Sequence, residues 1–172
     1  MTSAQNTSPE QETQSGTESS QYLTFILAEE EYAIDILRVQ GIQGWDTVTA
    51  IPNTPEYILG VINLRGSVVP IVELRRRFKL ESVPFGPTTV VIIVKIKSGD
   101  KERTLGIVVD AVSEVYSLLH KDVRPAPDFG NAGNIDFVKG VATVEDKMLI
   151  LLNVDELLDD NVLDSTPAAT AA

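Results

Sequence analysis

Arg65 is the side chain whose type and setting most invite a chemical role. It stands in Asn63-Leu64-Arg65-Gly66, a break between two apolar runs of "GVINLRGSVVPIVELRRRF" (60–78). Asn63 can bond its own backbone and Gly66 accepts a positive φ, so the tetrapeptide is a turn. Turn chemistry accounts for Asn63 and Gly66 but does not call for an arginine. A guanidinium stays protonated near neutral pH and cannot serve as a base there. Its planar, five-donor fork suits the carboxylate or backbone carbonyls of a partner. On these residues alone Arg65 is either an ordinary soluble turn residue or a recognition group. Recognition is favoured over catalysis.

Other candidates for chemistry are weaker. His120 is the single histidine, in "SLLHKDVRP", with no G-x-S-x-G serine beside it. Neither G-x-x-x-x-G-K-[ST] nor a G-x-G-x-x-G after a strand occurs. The acidic run "DELLDD" (155–160) lacks the glycine and alternating oxygen ligands of a calcium loop and reads as a solvated helix end. Glu29-Glu30-Glu31 reads as solvated charge at a hairpin turn. Arg75-Arg76-Arg77 has no wider basic or aromatic field around it, so nucleic acid is not expected as a partner. The expectation is a chain with no catalytic residue, no metal and no cofactor.

Charge and composition narrow the setting. The chain has 172 residues and a formal net charge of −11. Eight of its 25 acids fall in residues 1–21 and 153–172, which hold no Lys or Arg. The remaining 17 acids face 14 bases, so the body is nearly neutral and offers no basic face for nucleic acid. There is no run of about 20 apolar residues to span a bilayer, and no basic n-region followed by an apolar h-region to mark a secretion signal. With no cysteine, disulfides and thiolate metal sites are excluded, which suits a cytoplasmic protein.

The elements that must position Arg65 are mostly strands. Residues 1–20 and 161–172 are polar or small and are expected to be disordered tails. Between them, "YLTFILA" (22–28) and "YAIDIL" (32–37) read as a hairpin across "EEE", and "TTVVIIVKIK" (88–97) and "ERTLGIVV" (102–109) as another across "SGD". "SVVPIVEL" (67–74) and "KMLILLN" (147–153) are further short runs, and short helices are expected at 55–59, 74–78 and 154–158. The sequence also repeats. Residues 32–42 align with 105–115 at an offset of 73, and Gly60-Val61 align with Gly140-Val141 at an offset of 80. Val68, Val69, Ile71, Val72, Leu74 and Phe78 then meet Met148, Leu149, Leu151, Leu152, Val154 and Leu158. A duplicated half of about 65 residues is the size of a small barrel, and two barrels packed together create a groove.

Taken together, "YAIDILRVQGIQGW", "VTAIPNTPEYILGVINLRGSVVPIVELRRRF", "GIVVDAVSEV", "RPAPDFG" and "MLILLNVDELL" resemble the CheW-like domain family. The match covers residues 21 to about 160. This family includes the coupling proteins of bacterial chemotaxis, the C-terminal regulatory domain of the histidine kinase CheA, and CheV, where a receiver domain is fused to it. No kinase ATP site or receiver domain accompanies it here, which favours the free-standing coupling proteins. The resemblance implies an all-β fold of two pseudo-symmetric, five-stranded SH3-like barrels, intertwined and packed together, with no enzymatic activity. It implies an adaptor, in the cytoplasm at membrane receptor arrays, that joins chemoreceptor hairpin tips to CheA and makes ring contacts, including contacts between its own copies. The receptor-binding positions it implies are Val39, Gly41, Ile42, Arg65, Val90, Val112 and Val115. Val68, Val69, Ile71 and Phe129 match kinase or ring surfaces, and Gly60, Asn63 and Gly66 serve the backbone. One position departs: the family pattern "V-Q-E-I" has glutamate where this chain has Gly41. Restoring glutamate there is expected to raise affinity for a common receptor tip.

Overall fold

The computed structural model describes residues 18–125 and 137–158. The described residues form, in order, β1 (Ser19–Leu27), β2 (Glu30–Asp35), β3 (Val39–Gly44), β4 (Ile58–Leu64), β5 (Ser67–Glu73), β6 (Val90–Ser98), β7 (Lys101–Val109), β8 (Ala111–Leu119), β9 (Val138–Val144) and β10 (Lys147–Leu152). They make two five-stranded sheets, β8-β1-β2-β10-β9 (barrel A) and β3-β6-β7-β5-β4 (barrel B). β1 begins two residues inside the segment expected to be a disordered tail. Residues 1–17, the C-terminal tail and Phe129 lie outside the described residues.

The repeat is written into the strand registers. In barrel B, Ile71 on β5 pairs in parallel with Gly106 on β7. In barrel A, Leu151 on β10 pairs in parallel with Ala33 on β2. These are the same two positions at offsets of 80 and 73. Val39 opposite Val94 and Ile42 opposite Ile92 likewise match Val112 opposite Phe25 and Val115 opposite Leu23, with a register shift at the same place in each pair.

The reading from size alone, in which each copy of the repeat makes one barrel, is corrected here. Barrel A takes β1 and β2 from the first copy and β8, β9 and β10 from the second, while barrel B takes the remainder. The cause is local. β2 passes to β3 through the 3₁₀ turn Ile36–Arg38, and β7 passes to β8 through Asp110 alone. Neither link folds the strand back as a hairpin, so the chain runs straight from one sheet into the other.

Closure of each barrel depends on one glycine. β8 and β9 are the edges of barrel A, and the chain beyond β8 returns to β9 through a bridge between Arg124 and Val141. Thr49 and Val61 make the matching bridge in barrel B. A Cβ on Gly140 would lie 2.5 Å from the Arg124 carbonyl oxygen, and one on Gly60 2.2 Å from that of Thr49. Gly60 also has a φ of +148°, which disfavours any side chain. Its close approach is therefore to its own chain.

The core divides in three. Tyr22, Ala33, Tyr116, Leu118, Ala142, Leu149 and Leu151 fill barrel A, and Val69, Ile71, Val91, Ile93 and Val108 fill barrel B. Between them, Phe25, Leu27, Ile34, Leu74, Ile92, Ile96, Leu105, Ile107 and Leu157, with others from both sheets, form the inter-barrel core. Ion pairs that tie the copies together include Arg38 to Asp155 at 2.6 Å and Arg75 to Asp110 at 2.7 Å.

Some local expectations change. The short helices at Leu74–Arg77 and Val154–Leu157 form, the latter capped by Asn153, whose side chain accepts from Asp155 N and Glu156 N. The expected helix at 55–59 does not, since Ile58 and Leu59 are already in β4. The first hairpin turns on Ala28 and Glu29 alone, both at positive φ. Glu30 and Glu31 belong to β2, and Glu31 is 8% exposed rather than solvated. The three consecutive arginines are engaged internally. Arg75 donates to both oxygens of Asp110, Arg76 pairs with Glu73, and Arg77 donates to the Leu157 carbonyl and lies over the Tyr57 and Phe137 rings.

Candidate functional site

Arg65 and Gly66 form the two-residue loop between β4 and β5, with φ of 54° and 88°. Both positive values match the primed turns that suit the strand twist of a hairpin. The Gly66 N–H donates to the Asn63 side-chain oxygen at 2.9 Å, which sets the turn. Arg65 is exposed and has no hydrogen bond or ion pair among the described residues.

The turn stands at the mouth of barrel B, over a cavity of about 400 Å³ lined by Gln40, Gly41, Ile42, Gln43, Leu64, Arg65, Ser67, Val69, Ile93 and Thr104. Val69 and Ile93 are buried and give it an apolar floor. The rim is polar, and among these described residues Arg65 alone carries a charge. Gly41 opens the side of the cavity: a Cβ there would meet nothing within 4 Å. Ile42, on the same strand, is 46% exposed.

Of the positions implied by resemblance, Gly41, Ile42 and Arg65 share this cavity. Val39, Val90 and Val112 are half-buried and pack against the inter-barrel core. Val115 is 47% exposed on β8, at the place that Ile42 takes on β3. The lining residues all come from barrel B, so the cavity is a barrel mouth rather than a cleft between barrels. The second set divides too. Val69 and Ile71 are 1% and 0% exposed, which makes them core, whereas Val68 is 64% exposed beside its repeat partner Met148 at 61%. Gln40, Gln43, Ser67 and Thr104 were not singled out by sequence. Gln43, Ser67 and Thr104 carry one signal, that each is smaller or uncharged where its repeat partner, Tyr116, Lys147 or Glu31, is larger or charged; Gln40, whose partner is Ser113, carries none.

That contrast is geometric. The mouth of barrel A is built from the same positions, with Glu114 for Gly41, Tyr116 for Gln43, Glu145 for Arg65, Lys147 for Ser67 and Glu31 for Thr104. There the Tyr116 hydroxyl donates to Glu114 at 2.9 Å, and the Lys147 ammonium lies 3.5 Å from Glu31. The bond to Glu114 holds the Tyr116 hydroxyl above the usual tyrosine range, with burial adding to it. Glu31 first, then Tyr116, raises Lys147.

Among the described residues, no group of three His, Cys, Asp or Glu could hold a metal ion, and no helix is long and apolar enough to cross a membrane. His120 is exposed, with Nε2 2.9 Å from the Ser20 hydroxyl and Nδ1 3.6 Å from Glu18, a group of three side chains that are all on the surface and outside the cavity. The geometry offers a recognition surface.

Comparison with known proteins identifies the family. The CheW-like domain model matches residues 21–162. The chemotaxis protein CheW of Klebsiella aerogenes is 44% identical over 142 residues, covering 83% of each chain. That of Rhizobium meliloti is 34% identical, covering 78% of this chain and 84% of its own. The crystal structure of the scaffolding protein TtCheW from Thermoanaerobacter tengcongensis superposes with a TM-score of 0.74 at 34% identity, covering 84% of this chain and 96% of that one. With the paired five-stranded barrels, these matches place the chain in the CheW-like domain family, a family of chemotaxis scaffold and adaptor proteins rather than enzymes.

Proposed function

We propose that this chain couples the cytoplasmic hairpin tips of chemoreceptors to the regulatory domain of the histidine kinase CheA, within arrays at the membrane. The observation that carries the reading is the mouth of barrel B, where an unpaired arginine and an exposed isoleucine frame a cavity with an apolar floor. A helical tip suits such a surface, laying its apolar ridge along Ile42 and the half-buried valines while Arg65 takes a polar or acidic group. The kinase domain is itself a CheW-like barrel pair by family resemblance, so related barrels can meet through related edges. Val68 and Met148, exposed at equivalent positions of β5 and β10, are suited to that contact and to ring contacts between copies. A second reading, a scaffold paralogue for a sensory array outside chemotaxis, is favoured by one residue, Gly41, where the family pattern has glutamate.

The test is calorimetric titration of the purified chain with a receptor hairpin fragment and, separately, with the CheA regulatory domain. Binding to both is expected. Arg65→Asn, which tolerates the positive φ of the turn, is expected to weaken the hairpin and leave the kinase domain unaffected. A wild-type chain that binds neither protein would overturn the assignment.

A further inference from the structure

We infer that the mouth of barrel B is a socket for a carboxylate side chain of the partner helix, which occupies the place that Glu114 holds in barrel A. The inference rests on the receptor reading for the identity of the partner and adds the chemistry of the contact. Glu114 and Gly41 are equivalent by sequence offset and by register, since Val112 opposite Phe25 repeats Val39 opposite Val94. In barrel A this position supplies an anion from within the chain, satisfied by the Tyr116 hydroxyl. In barrel B it supplies nothing, and the surrounding positions are uncharged as well: Thr104 stands where barrel A has Glu31, and Ser67 where it has Lys147. What remains is one cation, Arg65, at the rim of a cavity of about 400 Å³.

The space is open because a side chain is missing. Gly41 has no left-handed φ, and a Cβ there would meet nothing within 4 Å. A guanidinium beside an apolar floor binds a carboxylate through two parallel hydrogen bonds, which are stronger where water is partly excluded. Gln40, Gln43, Ser67 and Thr104 provide further hydrogen-bonding groups for the second face of the carboxylate. One cation balances one carboxylate and leaves a doubly charged phosphate half-compensated. Supplying the anion in cis would therefore compete with the partner, so the direction expected for Gly41→Glu from family resemblance is reversed.

The experiment titrates wild type, Gly41→Glu and Arg65→Asn with a receptor hairpin fragment and with a series in which each tip Glu or Asp is changed singly to its amide. One amide hairpin is expected to bind wild type roughly ten-fold more weakly, and to match the parent hairpin when Arg65→Asn is the host. Gly41→Glu is expected to bind the parent hairpin roughly ten-fold more weakly while keeping its circular dichroism and urea midpoint. If no amide changes affinity for wild type, or if Gly41→Glu tightens binding, the socket is wrong and the receptor reading stands. If wild type binds no hairpin at all, both fall together.

Discussion

At the mouth of barrel A, Tyr116 packs with Leu149 and donates to Glu114, and Lys147 faces Glu31. At the mouth of barrel B the same strands and turn carry Gln43, Val69, Gly41, Ser67 and Thr104, and leave a cavity of about 400 Å³. Elsewhere the two barrels stay alike to the level of single residues. Ile42 and Val115 are 46% and 47% exposed, and both barrels close over a glycine against a carbonyl oxygen. The framework positions are held by backbone closure and core packing, which act identically on both copies. The mouth positions lie outside these closures and differ between the copies, and there barrel A carries Tyr116 where barrel B carries Gln43.

The largest effect should come from the feature the barrels share. Gly60→Ala and Gly140→Ala each drive a Cβ into a carbonyl oxygen of the closing bridge. Each is expected to cost on the order of 4 kcal/mol or more, since backbone must move and the bridge is lost. Urea unfolding of both variants checks it, and a mild effect in one barrel alone would break the claim of equivalent closure.

Next in size is a pair that separates the barrels. Leu149 and Val69 are equivalent and buried, but Val69 lines the cavity at the mouth of barrel B whereas Leu149 packs within the buried cluster of barrel A. Leu149→Ala is expected to cost about 3 kcal/mol, and Val69→Ala about 1.5 kcal/mol, as its methyls already border open space. Equal losses would argue that the mouth of barrel B is as well packed as that of barrel A.

A smaller effect tests the ties between copies. The hydrogen bonds from Arg75 hold the Asp110 carboxyl below the usual carboxylate range; burial opposes them and the Ala28 N–H adds to them. A depressed folded-state pKa gives stability that is present above the unfolded value, near 4, and is lost as pH falls through the folded value. Arg75→Gln is expected to cost about 1–2 kcal/mol at neutral pH, given a partly exposed pair. The gap from wild type should close as pH is lowered below about 4. A gap that widened in acid would show that Asp110 is not the group involved.

How much of this was legible in sequence follows from the same division. The repeat offsets of 73 and 80 were readable because core residues of matching strands must be apolar in both copies, and the glycines must be glycine. The repeat itself did not carry the exchange of strands between copies, because sequence periodicity is the same whichever copy a strand pairs with. The exchange is decided by links such as Asp110, one residue long between β7 and β8. Glu31 misled for a related reason. Three glutamates in a row suggest a turn, yet parallel pairing of β2 with β10 puts Glu31 opposite Leu149 and within reach of Lys147, and that pairing joins residues more than a hundred apart. Of the residues lining the cavity, Arg65, Gly41 and Ile42 were named from sequence as receptor-binding candidates, while Gln43, Ser67 and Thr104 gained meaning only beside their counterparts in barrel A.

The smallest change in stability should accompany the sharpest test of the comparison. Gln43→Tyr installs in barrel B the ring that barrel A carries at Tyr116. Gln43 is half-buried at the rim, with space beside it, so the ring can enter without displacing core residues. The urea midpoint is expected to correspond to a stability change within about 0.5 kcal/mol. The filled mouth would no longer accept a side chain from outside, and affinity for the receptor hairpin should fall roughly ten-fold while the CheA regulatory domain binds as before. If the hairpin binds Gln43→Tyr as tightly as wild type, the open mouth is incidental and recognition lies on the exposed strand faces around Ile42 and Val115. If binding falls with the fold intact, the missing aromatic plug is what distinguishes a binding barrel from its structural twin.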